Sequence, residues 1–126
     1  FFLIFLNLIE PKLINPPFLI LKESPAPLAA LSTIKESDPR VCERFEFYLV
    51  GVEIGNCFNE LTDLEIQRNR FNQQNLEKNK LYGYQLSEPH ILYNALERGL
   101  PKSSGIALGV ERLLYSLVDI KNPFYL

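Results

Sequence analysis

The stretch Arg44-Phe45-Glu46-Phe47-Tyr48-Leu49-Val50-Gly51-Val52-Glu53-Ile54 decides the fold. Phe45, Phe47 and Leu49 alternate with Glu46 and Tyr48, which is the period of a β-strand. Val50-Gly51 permits a tight hairpin turn, and Val52-Glu53-Ile54 begins the returning strand. Upstream, Pro16-Pro17 marks a turn and Phe18 to Leu21 reads as a short buried strand. Pro25 and Pro27 cannot extend it, because neither has an N–H to give a ladder. Leu28 to Ser32 is expected to form a helical turn and 34–39 a polar loop.

Downstream, Thr62-x-x-Glu65 has the form of a capping box, with Asp63 adding negative charge at a helix start. That helix should run to about Lys80 and stop by Gly83. Glu88-Pro89 opens another, with Ile91, Leu92, Ala95 and Leu96 as its apolar stripe and Gly99 as its C-terminal stop. Ser104 to Leu108 is a short strand of small and apolar residues. Gly109 then opens a last helix carrying Leu113, Leu114 and Leu117, closed by Asn122-Pro123. The expected fold is α/β of the α+β kind: an antiparallel sheet of about four strands flanked by helices.

The chain's 126 residues suffice for one domain and one modest core. A net charge of −2 lacks the basic excess of a surface that grips nucleic acid by itself. Cys42 and Cys57 form no CxxC pair and have no histidine cluster beside them, so they read as free thiols. The run Phe1-Phe2-Leu3-Ile4-Phe5-Leu6-Asn7-Leu8-Ile9 is too short to span a membrane and lacks a signal peptide's basic flank. It is expected to be a helix packed on the sheet or on sequence upstream of Phe1. His90 stands alone and reads as a helix-surface residue.

Three segments could carry chemistry: Gly105 to Arg112, the acidic strand Glu53 to Glu60, and Arg44-Phe45-Glu46, which leads the hairpin. In Gly105 to Arg112, small residues let a flat ligand lie on the strand, Gly109 permits close approach, and the following helix offers free N–H groups to anionic oxygens. Arg112, one turn in, can reach a phosphate or stack on a base. Glu53 and Glu60 supply carboxylates suited to Mg²⁺ beside a triphosphate, or to a substrate amino group. Seven residues apart, they fall on opposite faces of a regular strand. They can face one site only if the strand is bulged, for which Gly55-Asn56 is the natural place. Their convergence with Arg112 on one nucleotide-sized cavity is the decisive spatial expectation.

Gly105-Ile106-Ala107-Leu108-Gly109-Val110-Glu111-Arg112-Leu113 resembles motif 3 of class II aminoacyl-tRNA synthetases. Arg44-Phe45-Glu46, Gly51 to Asn56, and Glu60-Leu61-Thr62-Asp63 are similar to the segment before it in the lysyl branch. They are closer still to the short paralogues that ligate a lysine-like amino acid to elongation factor P. Leu64 after Asp63, the short loop from Leu31 to Arg44, and Ala107 in place of glycine favour that paralogue. Gly55 in place of alanine and Glu111 in place of aspartate depart from the pattern.

The resemblance implies a partial class II catalytic core over 1–126, with motif 3 present and motifs 1 and 2 absent. It implies ATP and Mg²⁺ as cofactors. Glu53, Ile54, Gly109 and Arg112 would contact ATP, with Arg112 the catalytic residue. Asn56, Glu60 and Ala107 would face lysine or β-lysine, and Glu53 and Glu60 would hold the metal. The reaction implied is activation of the amino acid to an adenylate and transfer to a lysine of elongation factor P. The full-length protein would be a cytoplasmic homodimer with no membrane partner. The alternatives are a lysine–tRNA ligase fragment acting on tRNA-Lys, and a non-catalytic remnant. Motif 2 carries an arginine for the α-phosphate, and a site without it lacks much of its transition-state stabilisation. The resemblance therefore makes the chain a ligase by descent without making it active alone.

Overall fold

A computed structural model describes residues 2–118. Four strands form one antiparallel sheet in the order β1-β2-β3-β4. They are β1 (Phe18–Lys22), β2 (Arg44–Leu49), β3 (Val52–Asn59) and β4 (Ser104–Leu108). The expected hairpin is β2–β3. Its turn places Val50 at φ 49° and Gly51 at φ 78°, the doubly positive pattern whose twist matches that of the strands. Gly51 also leaves room for Ile14, whose Cα would lie 3.0 Å from an added Cβ.

Helix α1 (Phe2–Ile4) runs into a π-helical turn (Phe5–Ile9) and a 3₁₀ turn (Glu10–Lys12). The apolar run is helical as expected, but it is not packed on the sheet. Leu3, Ile4, Leu6, Leu8 and Ile9 are all exposed. The segment meets the fold through Ile14, beyond the break at Pro11. Strand β1 is likewise not buried. It lies at the sheet edge, with Phe18 and Ile20 exposed and Leu19 and Leu21 half-buried. The helical turn expected over Leu28–Ser32 forms earlier, as a 3₁₀ turn at Ala26–Leu28.

Helix α2 (Leu64–Tyr82) begins one residue later than a Thr62 cap would place it. Asp63 is the N-cap, its carboxylate accepting from the Ile66 N–H at 2.9 Å, and Gly83 ends the helix at φ 74°. Helix α3 (His90–Glu97) docks on α2 through a stripe that keeps Leu92 and Leu96 of the expected one but is rotated toward Tyr93. Tyr93 and Leu96 are buried while Ile91 and Ala95 are exposed. The Tyr93 ring explains the rotation: it packs against Phe71 at 6.2 Å between centroids and lies under the Arg68 guanidinium at 5.1 Å. His90 is exposed, as expected.

Helix α4 (Val110–Leu117) follows β4 after Gly109 and packs against β3. It ends at Leu117, and Asn122-Pro123 lies outside the described residues. The core gathers Tyr48 and Ile54 of the hairpin with Ala29, Cys42, Cys57 and Leu61. Both cysteines are free.

Candidate functional site

Alternation along β2 puts Arg44, Glu46 and Tyr48 on one face of the sheet. Their partners on β3 are Phe58, Asn56 and Glu53 respectively. Glu53 and Asn56 are three residues apart and would point oppositely on a regular strand. They share a face because the register shifts between Phe47, paired with Gly55, and Tyr48, paired with Glu53. The extra residue is Ile54, so the bulge sits at Ile54 rather than at Gly55-Asn56. The Ile54 side chain is buried in the core (1% exposed). Any contact of Ile54 with ATP would therefore be through its backbone; its carbonyl accepts the Gly109 N–H at 2.8 Å and anchors the start of α4.

Beyond the bulge the face continues through Asn56, Phe58 and Glu60. Strand β4 adds Ala107 opposite Asn56 and Gly105 opposite Phe58. The Glu60 carboxylate lies over Gly105 so closely that an added Cβ would stand 2.4 Å from its Oε1. From α4, Arg112 Nη1 donates to the Glu53 carbonyl at 3.1 Å and approaches Glu53 Oε2 at 3.4 Å. Gly109 makes that reach possible, since an added Cβ would press on the Arg112 side chain at 3.2 Å. Glu53, Asn56, Glu60, Ala107, Gly109 and Arg112 are thus brought to one face.

The sequence singled out Arg44-Phe45-Glu46 without giving Arg44 or Glu46 a role at the site, and it did not point to Tyr48; all three lie on this face. Arg44 donates through Nη2 to Glu46 Oε1, through Nε to Asn56 Oδ1 at 3.0 Å, and through Nη1 to the Leu28 carbonyl at 3.4 Å. Its guanidinium also lies over the Phe58 ring, 5.4 Å from the centroid. Tyr48 donates its hydroxyl to the other Glu46 oxygen at 2.9 Å. Burial, and then the hydrogen bond to Glu46, push the Tyr48 phenol well above its ordinary range, so it is a fixed donor. Burial, followed by repulsion from Glu46, raises the Glu53 carboxyl above its usual value, against a smaller opposing pull from Arg112. The alternation that revealed β2 was also the signal that Arg44, Glu46 and Tyr48 point together.

Residues 12–122 match the family model described as tRNA synthetases class II (D, K and N). The chain belongs to the class II aminoacyl-tRNA synthetase family. Among curated relatives named elongation factor P–(R)-β-lysine ligase, that of Histophilus somni is 42% identical over 119 residues, covering 94% of this chain and 37% of the relative. That of Actinobacillus succinogenes is 42% identical over 118 residues, covering 94% and 36%. That of Pasteurella multocida is 43% identical over 111 residues, covering 88% and 34%. The chain thus spans little more than a third of the length of these relatives. A crystal structure described as an aspartyl-tRNA synthetase from Leishmania major has the same fold, with TM-score 0.66 at 16% identity, covering 86% of this chain and 20% of that one.

The class II face corrects one expectation about metal. Glu53 and Glu60 point the same way but sit toward opposite ends of β3, about 20 Å apart along a strand rising ~3.3 Å per residue. Mg²⁺ ligands stand ~2 Å from the ion, so these two cannot share one. The acid that faces Glu53 is Glu46. Repulsion from Glu46, second to burial in raising the Glu53 carboxyl, is what a divalent cation would relieve. Among the described residues no three metal-ligating side chains cluster. Two carboxylates suit Mg²⁺ when phosphate oxygens complete its shell. These side chains line one face of the sheet. A groove of about 610 Å³ lies on the other side of the sheet, floored by Phe45, Cys57 and Ile106 with Lys22 and Glu43 at its rim.

Proposed function

We propose that this chain is the C-terminal part of the catalytic domain of a ligase that activates a lysine-like amino acid with ATP and transfers it to a lysine of elongation factor P. The observation that carries this reading is the bulge at Ile54, which gathers Glu53, Asn56 and Glu60 on the face that Arg112 reaches. The names of the relatives support elongation factor P and β-lysine as the substrates.

Each residue has a task that follows from its chemistry. Arg112 is mostly exposed, with 60% of its side chain accessible, and can swing from Glu53 to a phosphate or the adenine ring. Glu46 and Glu53 would hold Mg²⁺, which supplies neutralisation of phosphate charge when bound. Glu60, with Gly105 leaving it room, accepts from a substrate ammonium group. The amino acid's carboxylate oxygen attacks the α-phosphorus of ATP, forming the acyl-adenylate and releasing pyrophosphate. The ε-amino nitrogen of the acceptor lysine then attacks the acyl carbon, forms the amide and releases AMP. The protein contributes positioning and charge stabilisation to both steps. The full-length ligase is read as a cytoplasmic homodimer. Among the described residues no helix is long and apolar enough to cross a membrane.

Calorimetric titration tests the reading. ATP with Mg²⁺ should bind saturably, β-lysine should bind separately, and Glu53→Gln should weaken only the first. A folded chain giving no heat with either ligand would contradict it.

A further inference from the structure

Arg44 has a place on this face that the reaction does not use directly. Its three guanidinium nitrogens are committed to Asn56, Leu28 and Glu46, its side chain is only 16% accessible, and Phe58 lies against its plane. It cannot leave these partners to grip a phosphate without abandoning a half-buried Glu46. Its effect must therefore pass through the groups it holds. A guanidinium has donors and no acceptor, so the group that Asn56 turns toward Arg44 is its carbonyl oxygen. The amide N–H₂ must then point the other way. Lysine and β-lysine carry two ammonium groups, which only donate, and one carboxylate, which only accepts. An outward donor at Asn56 therefore matches the carboxylate, while the acceptor Glu60 matches an ammonium.

We propose that Arg44 is a positioning residue: through Nε it fixes the Asn56 amide as a donor to the amino acid's carboxylate, and through Nη2 it holds Glu46 on the face of Glu53. The assignment rests on the reading of this face as the ATP and amino-acid site. An arginine is needed because a lysine ammonium cannot hold both acceptors in the plane of a fork.

The test is a double-mutant cycle on the full chain, with lysine, β-lysine and ATP–Mg²⁺ as calorimetric probes and urea unfolding as the control for folding. Asn56→Asp keeps an acceptor toward Arg44 but removes the outward donor. It should lower amino-acid affinity about tenfold or more, the scale of losing a hydrogen bond to a charged group. Arg44→Lys should lower amino-acid affinity about tenfold beside Asn56 and leave it unchanged in an Asn56→Ala background. Its effect on ATP–Mg²⁺, which acts through Glu46, should persist in both. A general structural role would instead lower amino-acid affinity by the same factor in both backgrounds, and that result overturns the assignment. So does an Asn56→Asp chain that binds the amino acid as tightly as the wild type, an arm that stands even if Arg44→Lys fails to fold. A folded wild-type chain that binds none of the probes overturns the reading of the face, and the role of Arg44 with it.

Discussion

Replacing Gly105 by alanine isolates the amino-acid end of the site. An added Cβ would lie 2.4 Å from Glu60 Oε1, 3.5 Å from Cδ and 4.0 Å from Cγ. Only the terminal oxygen is in conflict, and it must retreat by roughly 1 Å to reach ordinary contact distance. Rotation of the carboxylate accomplishes this, so the fold should survive. Alanine in place of a strand glycine should add about 0.5 kcal/mol of stability. Binding is another matter. A carboxylate moved ~1 Å from its ammonium partner forfeits most of a charge-assisted hydrogen bond of about 1.5–3 kcal/mol. That is a loss of roughly 10- to 150-fold in affinity for lysine or β-lysine. ATP–Mg²⁺ affinity should hold, because Glu53 and Arg112 lie at the far end of β3. Calorimetry with both ligands, with thermal unfolding as a control, measures the effect. Amino-acid affinity unchanged within about twofold, in a folded variant, would refute the role of Glu60. An equal loss of ATP affinity would show a general distortion instead.

Two further predictions concern the hairpin. Val50→Asn should raise stability by about 1 kcal/mol, since a β-branched residue at φ 49° carries left-handed strain that asparagine tolerates; the rise should appear as a melting temperature about 4–8 °C higher. Glu53 has a raised carboxyl in the fold, so between the unfolded value of 4.5 and its folded value the native state binds the extra proton. Stability should therefore fall as pH rises through that window. Glu53→Gln should flatten this slope in pH-dependent melts and raise the melting temperature at neutral pH, while weakening ATP–Mg²⁺ binding about tenfold or more.

Much of this was legible in the letters, for identifiable reasons. The alternation from Phe45 to Leu49 and the Val50-Gly51 turn dictated the hairpin, and the small residues of β4 before Gly109 dictated the strand-to-helix turn. The need for a bulge between Glu53 and Glu60 was also legible, from parity alone. Its position was not, because it depends on packing. Ile54 takes the extra place while Gly55 lies beneath the Phe47 ring, where an added Cβ would meet Cε1 at 2.3 Å. Spacing along a strand could not show that Glu60 is too far from Glu53 to share a cation while Glu46, across the hairpin, is close enough to repel it. An apolar run such as Leu3 to Ile9, interrupted by Asn7, says nothing of what covers it, and its exposure was invisible to pattern. In α3 the stripe was compatible with more than one rotation, and contacts from Arg68 and Phe71 selected Tyr93.

The central claim is that Glu46, Glu53 and Arg112 form one nucleotide-facing surface. Titrating isotopically labelled protein with ATP–Mg²⁺ while following backbone and arginine side-chain NMR signals tests it most directly. Shifts should concentrate at Glu46, Glu53, Gly109 and the Arg112 guanidinium. Shifts confined to the opposite face, at Phe45, Cys57 and Ile106, would contradict it.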